Sequence, residues 1–89
     1  MTEMEKARKE LNEIDAALAA LFEKRMHAVE KIGAYKKEHG LPVLDAAREK
    51  ENLARAEALL ADPALKEYFL RWYQMTMDIA KEYQQDHIR

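Results

Sequence analysis

The chain has 89 residues and a mass of 10.4 kDa, which allows one small domain over residues 1–89. Its 15 Lys and Arg against 17 Asp and Glu give a net charge of −2, so charge provides no general attraction to nucleic acid or to a membrane surface. The absence of cysteine excludes a disulfide scaffold, a thiolate zinc site and a cysteine nucleophile, and only two Gly and two Pro argue against a sheet-rich fold.

Two breaks divide the chain and predict three helices. In the first break Gly40 suits the position just after a helix, and Pro42 prevents the helix from resuming. In the second break, Asp62 can cap the helix that follows and Pro63 fits its first turn. Between the two breaks, Asp45 can cap another helix. The sequence therefore predicts an all-α protein with a long helix over about 3–39, a short one over about 46–60 and a medium one over about 63–87.

The first predicted helix is too long for a compact chain of this size. At about 1.5 Å per residue it forms a rod of roughly 54 Å, whereas a compact domain of this length has a diameter of about 30 Å. Apolar residues recur at helical spacing along nearly the whole rod: Leu11, Ile14, Leu18, Leu21, Phe22, Val29, Ile32 and Tyr35. Because a single chain leaves part of this stripe in water, we predict a second copy packed along the helix in an intertwined homodimer.

The third predicted helix carries most of the aromatic residues. Helical spacing places five apolar residues on one side of it: Leu65, Phe69, Trp72, Met75 and Ile79. We interpret this side as hydrophobic core rather than as a surface that stacks bases or a cofactor. The N-terminus is too charged for a signal peptide, and no apolar run reaches the ~18 residues of a membrane span, so we expect a cytoplasmic protein that contacts no membrane and no nucleic acid.

Two cations interrupt the apolar seam of the first helix. Arg25 and Lys36 are 11 positions apart, which at about 100° per residue returns them to within ~20° of the same face. A buried cation without an anionic partner is costly, so each should meet an anion. That anion is either an internal carboxylate, such as that of Asp15, Glu23 or Glu49, or a molecule that binds from solution.

Two further residues favour binding from solution. Arg48 adds a third cation where the second helix begins, and Gln84 places an uncharged donor and acceptor on an otherwise apolar face of the third helix. Such a pocket suits a small dianion that also bears hydroxyl groups. The three histidines, in contrast, lack the spacing of a helical metal site, and we predict no metal.

The spacing of these residues resembles the all-helical class of chorismate mutases over about residues 5–85. The segments that carry the resemblance are Arg8, Ile14-Asp15, Leu21, Arg25-Met26, Lys36-Lys37, Gly40-Leu41-Pro42-Val43, Asp45-Ala46-Ala47-Arg48-Glu49 and Tyr83-Gln84. The resemblance implies an intertwined homodimer with a long first helix. It also implies an isomerase that rearranges chorismate to prephenate, on the route to phenylalanine and tyrosine, without metal or cofactor.

By position, the resemblance implies eight substrate-binding residues: Arg8, Arg25, Lys36, Asp45, Arg48, Glu49, Ala80 and Gln84. Arg8 and Arg25 would pair with the two substrate carboxylates. In the family, the residue that matches Arg8 reaches into the partner's site. The spacing agrees, because 17 positions separate the two arginines, or about 25 Å along one helix, which is too far for one substrate molecule.

The remaining implied roles surround the reacting bond. Lys36 and Gln84 would hydrogen-bond the ether oxygen of the substrate and, together with Arg25, would be the catalytic residues. Glu49 would accept from the ring hydroxyl, and Arg48 and Asp45 would complete the wall, Asp45 through its backbone. Because a neutral amide donates at any pH, Gln84 predicts activity across neutral pH without an acidic optimum.

Ala80 departs from the family pattern, since relatives often carry a serine there. Either one hydrogen bond to a substrate carboxylate is missing or a nearby donor, Thr76 or Lys81, replaces it. We therefore expect weaker substrate binding, seen mainly as a raised KM.

Two other functions remain as alternatives. An isochorismate pyruvate-lyase has the same fold and much of the cationic pocket, but those enzymes tend to have an apolar residue where Glu49 stands here. The other alternative is a non-catalytic helical interaction module, in which Arg25 and Lys36 form structural ion pairs.

Overall fold

The computed structural model describes residues 1–87. Over this range the chain is all-α and contains α1 (Glu3–Glu38), α2 (Ala46–Leu59), a 3-10 turn (Pro63–Leu65) and α3 (Lys66–His87). The three predicted helices are confirmed. The one difference is that the first turn of the predicted third helix is a separate 3-10 turn.

Local side-chain and backbone geometry explains where the helices begin and end. Gly40 has a φ of +64°, a left-handed conformation that glycine adopts without steric cost and that ends α1. The Asp45 carboxylate accepts from the backbone N–H of Arg48 at 3.0 Å and caps α2. The Asp62 carboxylate accepts from the backbone N–H of Ala64, two positions along the chain, at 2.9 Å. It caps the tight 3-10 turn that follows.

The helices form an elongated molecule rather than a sphere. Its extents are 55 × 26 × 15 Å and its radius of gyration is 16.3 Å, against about 12 Å for a compact domain of this length. α3 packs on the C-terminal half of α1 and on α2. The buried residues lie along this contact: Val29, Gly33, Ala56, Met77 and Gln84.

A side-chain hydrogen bond ties α3 to α1 near the C-terminal end of α3. The Tyr83 hydroxyl donates to the Glu30 carboxylate at 2.5 Å. This hydrogen bond raises the pKa of the Tyr83 phenol above its ordinary value, and partial burial acts in the same direction. Among residues 1–87, no helix is long and apolar enough to cross a membrane.

The face of α3 that we interpret as core is not buried within one chain. Trp72 and Met75 are 47% and 52% exposed, and Leu65 and Ile79 are also exposed. The Met77 face of α3 is the buried one, and residues 1–24, which include most of the apolar stripe of α1, are all exposed. Apolar stripes on two helices are therefore left uncovered within one chain.

Candidate active site

A cavity of about 380 Å³ lies between the C-terminal half of α1, the start of α2 and α3. Its walls are formed by Arg25, Val29, Ile32, Lys36, Val43, Asp45, Arg48, Glu49, Asn52, Met77, Ala80, Lys81 and Gln84. Seven of the eight residues that the resemblance implies line it, and Arg8 does not. The fold thus brings these seven together, although the role of each remains a prediction.

Arg25 and Lys36 share the cavity as their spacing predicts, and neither forms a salt bridge within residues 1–87. The guanidinium of Arg25 lies over the ring of Tyr73, 5.6 Å from its centroid, a cation–π contact that orients it without neutralising it. The internal ion pairs considered for these two cations are therefore absent from this part of the chain. Both charges are available to an anion in the cavity.

The loop between α1 and α2 fixes the ammonium of Lys36. Its Nζ donates to the backbone carbonyl of Val43 at 2.8 Å. The backbone N–H of Leu41 donates to the Lys36 carbonyl at 2.8 Å, which closes the loop against the end of α1. One N–H of the ammonium is thus engaged with protein, and the remaining two can serve a bound molecule.

Gln84 is held in the same manner on the opposite wall. Its side chain is only 6% exposed, and its Nε2 donates to the backbone carbonyl of Val29 at 2.9 Å. An amide nitrogen carries two hydrogens, so the second one can point into the cavity. Two donors, on Lys36 and Gln84, are thus anchored by backbone carbonyls before any ligand binds.

Glu49 forms an ion pair that the sequence reasoning missed. Its Oε2 lies 2.9 Å from the Nζ of Lys81, and its Oε1 accepts from the side chain of Gln74 at 3.4 Å. The hydrogen bond to Glu49 raises the pKa of the Lys81 ammonium above its ordinary value, although burial acts in the opposite direction. Lys81 is therefore a charged member of the cavity wall at neutral pH.

The two donors suggested as replacements for a serine at position 80 differ in location. Lys81 lines the cavity beside Ala80, whereas Thr76 does not and instead donates its hydroxyl to the carbonyl of Tyr73 at 2.7 Å. A further wall residue that was missed is Asn52. It follows Glu49 by three positions on α2, so helical spacing alone could have indicated it.

The start of α2 supplies the outer wall of the cavity. The Asp45 carboxylate caps the helix through its Oδ1. The guanidinium of Arg48 lies 3.4 Å from Glu51, in a pair whose side chains are 57% and 67% exposed. Such an exposed pair contributes little stability and leaves the arginine able to turn toward an anion.

The charges around the cavity suit a dianion. Arg25, Lys36, Arg48 and Lys81 face two carboxylates, which gives the wall a net charge of +2. Among residues 1–87 there is no group of three or more His, Asp or Glu side chains that could hold a metal ion. The arrangement offers cations and hydrogen-bond donors held in fixed positions.

Arg8 lies apart from the cavity, in the exposed N-terminal part of α1. The 17 positions between it and Arg25 correspond to about 25 Å along the straight helix. Arg8 therefore cannot reach the cavity of its own chain.

A family model matches almost the whole of this fold. The model is that of chorismate mutase type II, and it matches residues 7–85. No curated protein and no solved structure is found to match the chain. Since the matched segment includes nearly all of the three helices and every residue of the cavity wall, the chain belongs to the chorismate mutase type II family.

Proposed function

We propose that the protein is a chorismate mutase, an isomerase that rearranges chorismate to prephenate in the cytoplasm, on the route to phenylalanine and tyrosine. The observation that carries the proposal is that one cavity holds two cations without a salt bridge within residues 1–87, Arg25 and Lys36, and two donors anchored by backbone carbonyls, Lys36 and Gln84. Chorismate carries two carboxylates, one hydroxyl and an ether oxygen, and the wall offers partners of matching chemistry for one carboxylate, the hydroxyl and the ether oxygen.

The proposed reaction is a pericyclic rearrangement, which requires neither a nucleophile nor a general base. The protein must hold a flexible dianion in a compact chair conformation, and this is an orientation effect. It must also stabilise the negative charge that grows on the ether oxygen as the C–O bond breaks. Lys36 and Gln84 are suited to this second task because backbone carbonyls already fix their nitrogens.

The substrate carboxylates are assigned to arginines. Arg25 pairs with one carboxylate through its guanidinium fork, a geometry that favours bidentate hydrogen bonds. The other carboxylate is assigned to Arg8 of a second copy of the chain, because Arg8 cannot reach its own cavity. The exposed apolar stripes on α1 and α3 support the intertwined homodimer that this assignment requires.

Glu49 directs the choice of substrate. Its side chain, in the cavity wall, accepts from the ring hydroxyl of chorismate, and this favours the mutase over an isochorismate pyruvate-lyase. Incubating the protein separately with chorismate and with isochorismate distinguishes the two reactions. The mutase forms prephenate from chorismate, and the lyase forms salicylate from isochorismate.

The decisive variant is Arg25→Ala, assayed by chorismate disappearance. Loss of a preorganised donor of this kind costs roughly 3–4 kcal/mol, so we expect kcat/KM to fall by about two to three orders of magnitude. Arg71→Ala is the matched control, since Arg71 also lies over a tyrosine ring, that of Tyr68, at 5.2 Å but outside the cavity. Equal losses in both variants would contradict the proposed site.

A non-catalytic helical module is distinguished by ligand binding. A bicyclic dianion that mimics the compact transition state binds only the folded protein, so it should raise the melting temperature of a mutase. Unchanged melting at high ligand concentration, together with no turnover of chorismate, would favour the module.

A further inference from the structure

We propose that Lys81 is a positioning residue of this site: its ammonium holds the Glu49 carboxylate in the cavity wall and cancels the charge of that carboxylate next to a bound dianion. The inference rests on the proposed function and adds a residue to it. It concerns this chain in particular, because a lysine stands directly after the alanine that departs from the family pattern.

The geometry separates this ion pair from the others in the described chain. The side chains of Lys81 and Glu49 are 27% and 20% exposed, whereas both members of the Lys66–Glu57 pair are at least 42% exposed. Both members of the first pair also line the cavity, and neither member of the second does. An ion pair that is partly withdrawn from water and adjoins a ligand site affects that ligand more than an exposed one.

Both oxygens of the Glu49 carboxylate are held from α3. Oε2 lies 2.9 Å from the Nζ of Lys81, and Oε1 accepts from Gln74 at 3.4 Å. Lys81 has a second carboxylate neighbour in Asp78, at 3.4 Å, on the more exposed side of α3. The ammonium of Lys81 therefore bridges the wall carboxylate of Glu49 and the more exposed carboxylate of Asp78.

The Lys81–Glu49 pair affects the net charge that the cavity wall presents to a bound molecule. With Lys81 present the wall carries a net charge of +2, and without it the wall would carry +1 and an unpaired carboxylate facing a dianion. Repulsion of this kind weakens ground-state and transition-state binding alike, because the two carboxylates of the substrate persist through the rearrangement. A uniform loss of binding raises KM and leaves kcat nearly unchanged.

The test is a double-mutant cycle between positions 81 and 49, read as KM and kcat for chorismate. We expect Lys81→Met to raise KM on the order of tenfold, with kcat altered less than about twofold. Lys81→Arg should restore KM, since it restores the charge. In a Glu49→Gln background, Lys81→Met should no longer raise KM, because there is no carboxylate charge left to cancel.

The matched control is Lys66→Met, which removes a lysine from another ion pair between α3 and α2 and should leave KM unchanged. Circular dichroism establishes that each variant is folded, and Lys81→Gln replaces Lys81→Met in the cycle if the latter does not fold.

Several outcomes would overturn the inference. An unchanged KM in Lys81→Met would show that the pair has no effect on the substrate. An equal rise in KM with and without Glu49→Gln would show that Lys81 acts on the substrate independently of Glu49, for instance as a direct donor in place of the missing serine. Both results leave the proposed function intact, whereas a wild-type protein that does not convert chorismate overturns the function and this inference together.

Discussion

A buried amide at position 84 links the stability of the fold to the pH range of the proposed reaction. Gln84 is 6% exposed and donates to the carbonyl of Val29 at 2.9 Å, so a donor is required at this place. In Gln84→Glu an ionised carboxylate would face that carbonyl with no hydrogen to donate. We expect this variant to lose about 1–3 kcal/mol of unfolding free energy at neutral pH, the cost of a buried polar group without its partner.

The pH dependence of the same variant follows from burial. Burial and the nearby carbonyl raise the pKa of the introduced carboxyl group, so its stability should recover as the pH falls through that raised pKa. Its kcat/KM should rise over the same interval, because only the protonated acid donates to the ether oxygen. Urea denaturation and initial rates across the pH range measure both quantities. Wild-type kcat/KM that falls steeply as the pH rises through neutrality would contradict the role assigned to the neutral amide of Gln84.

At the scale of one helix, the cap of α2 holds two wall residues in place. Asp45 accepts from the N–H of Arg48 at 3.0 Å, and Arg48 and Glu49 lie in the first turn that this cap stabilises. Asp45→Ala should lower the unfolding free energy by about 1 kcal/mol and raise KM, since the first turn loosens. Asp45→Asn is the control because asparagine caps equally well. Equal effects of the two substitutions would mean that stability and KM depend on the charge of Asp45 rather than on its capping hydrogen bond.

The helices themselves were predictable because their boundaries are encoded locally. Gly40 ends one helix through its backbone conformation, and Asp45 and Asp62 begin others through side-chain caps. The shared face of Arg25 and Lys36 was predictable for a similar reason, since it depends only on the period of one helix. Features of this kind require no knowledge of how the helices pack.

Features that depend on packing between helices were not predictable. Lys81 and Glu49 are 32 positions apart, and their pairing depends on the alignment of α3 with α2. Periodicity indicates that Trp72 and Met75 lie on an apolar face, but it does not say which surface covers that face. The sequence therefore predicted which residues line the cavity better than it predicted the contacts between those residues.

The whole molecule is elongated and leaves apolar surface on two helices exposed. A chain 55 Å long leaves the apolar stripe of α1 uncovered, with Leu18 45% and Leu21 59% exposed, beside the equally uncovered Trp72 and Met75 of α3. Exposed apolar surface of this extent marks an interface between proteins. The homodimer that we propose would cover both stripes at once in a two-fold arrangement, which is the commonest symmetry of such assemblies.

In the proposed dimer, the contributions of Arg8 and Arg25 can be tested by exchanging subunits between two inactive variants. Arg8→Ala and Arg25→Ala should each be nearly inactive, because every site then lacks one carboxylate partner. Unfolding and refolding an equal mixture should restore about a quarter of wild-type activity, since half of the dimers are mixed and each mixed dimer has one intact site. That site combines Arg25 of one chain with Arg8 of the other. If both arginines served the same chain's cavity, every mixed dimer would have two defective sites, and chorismate turnover would remain at the level of the separate variants.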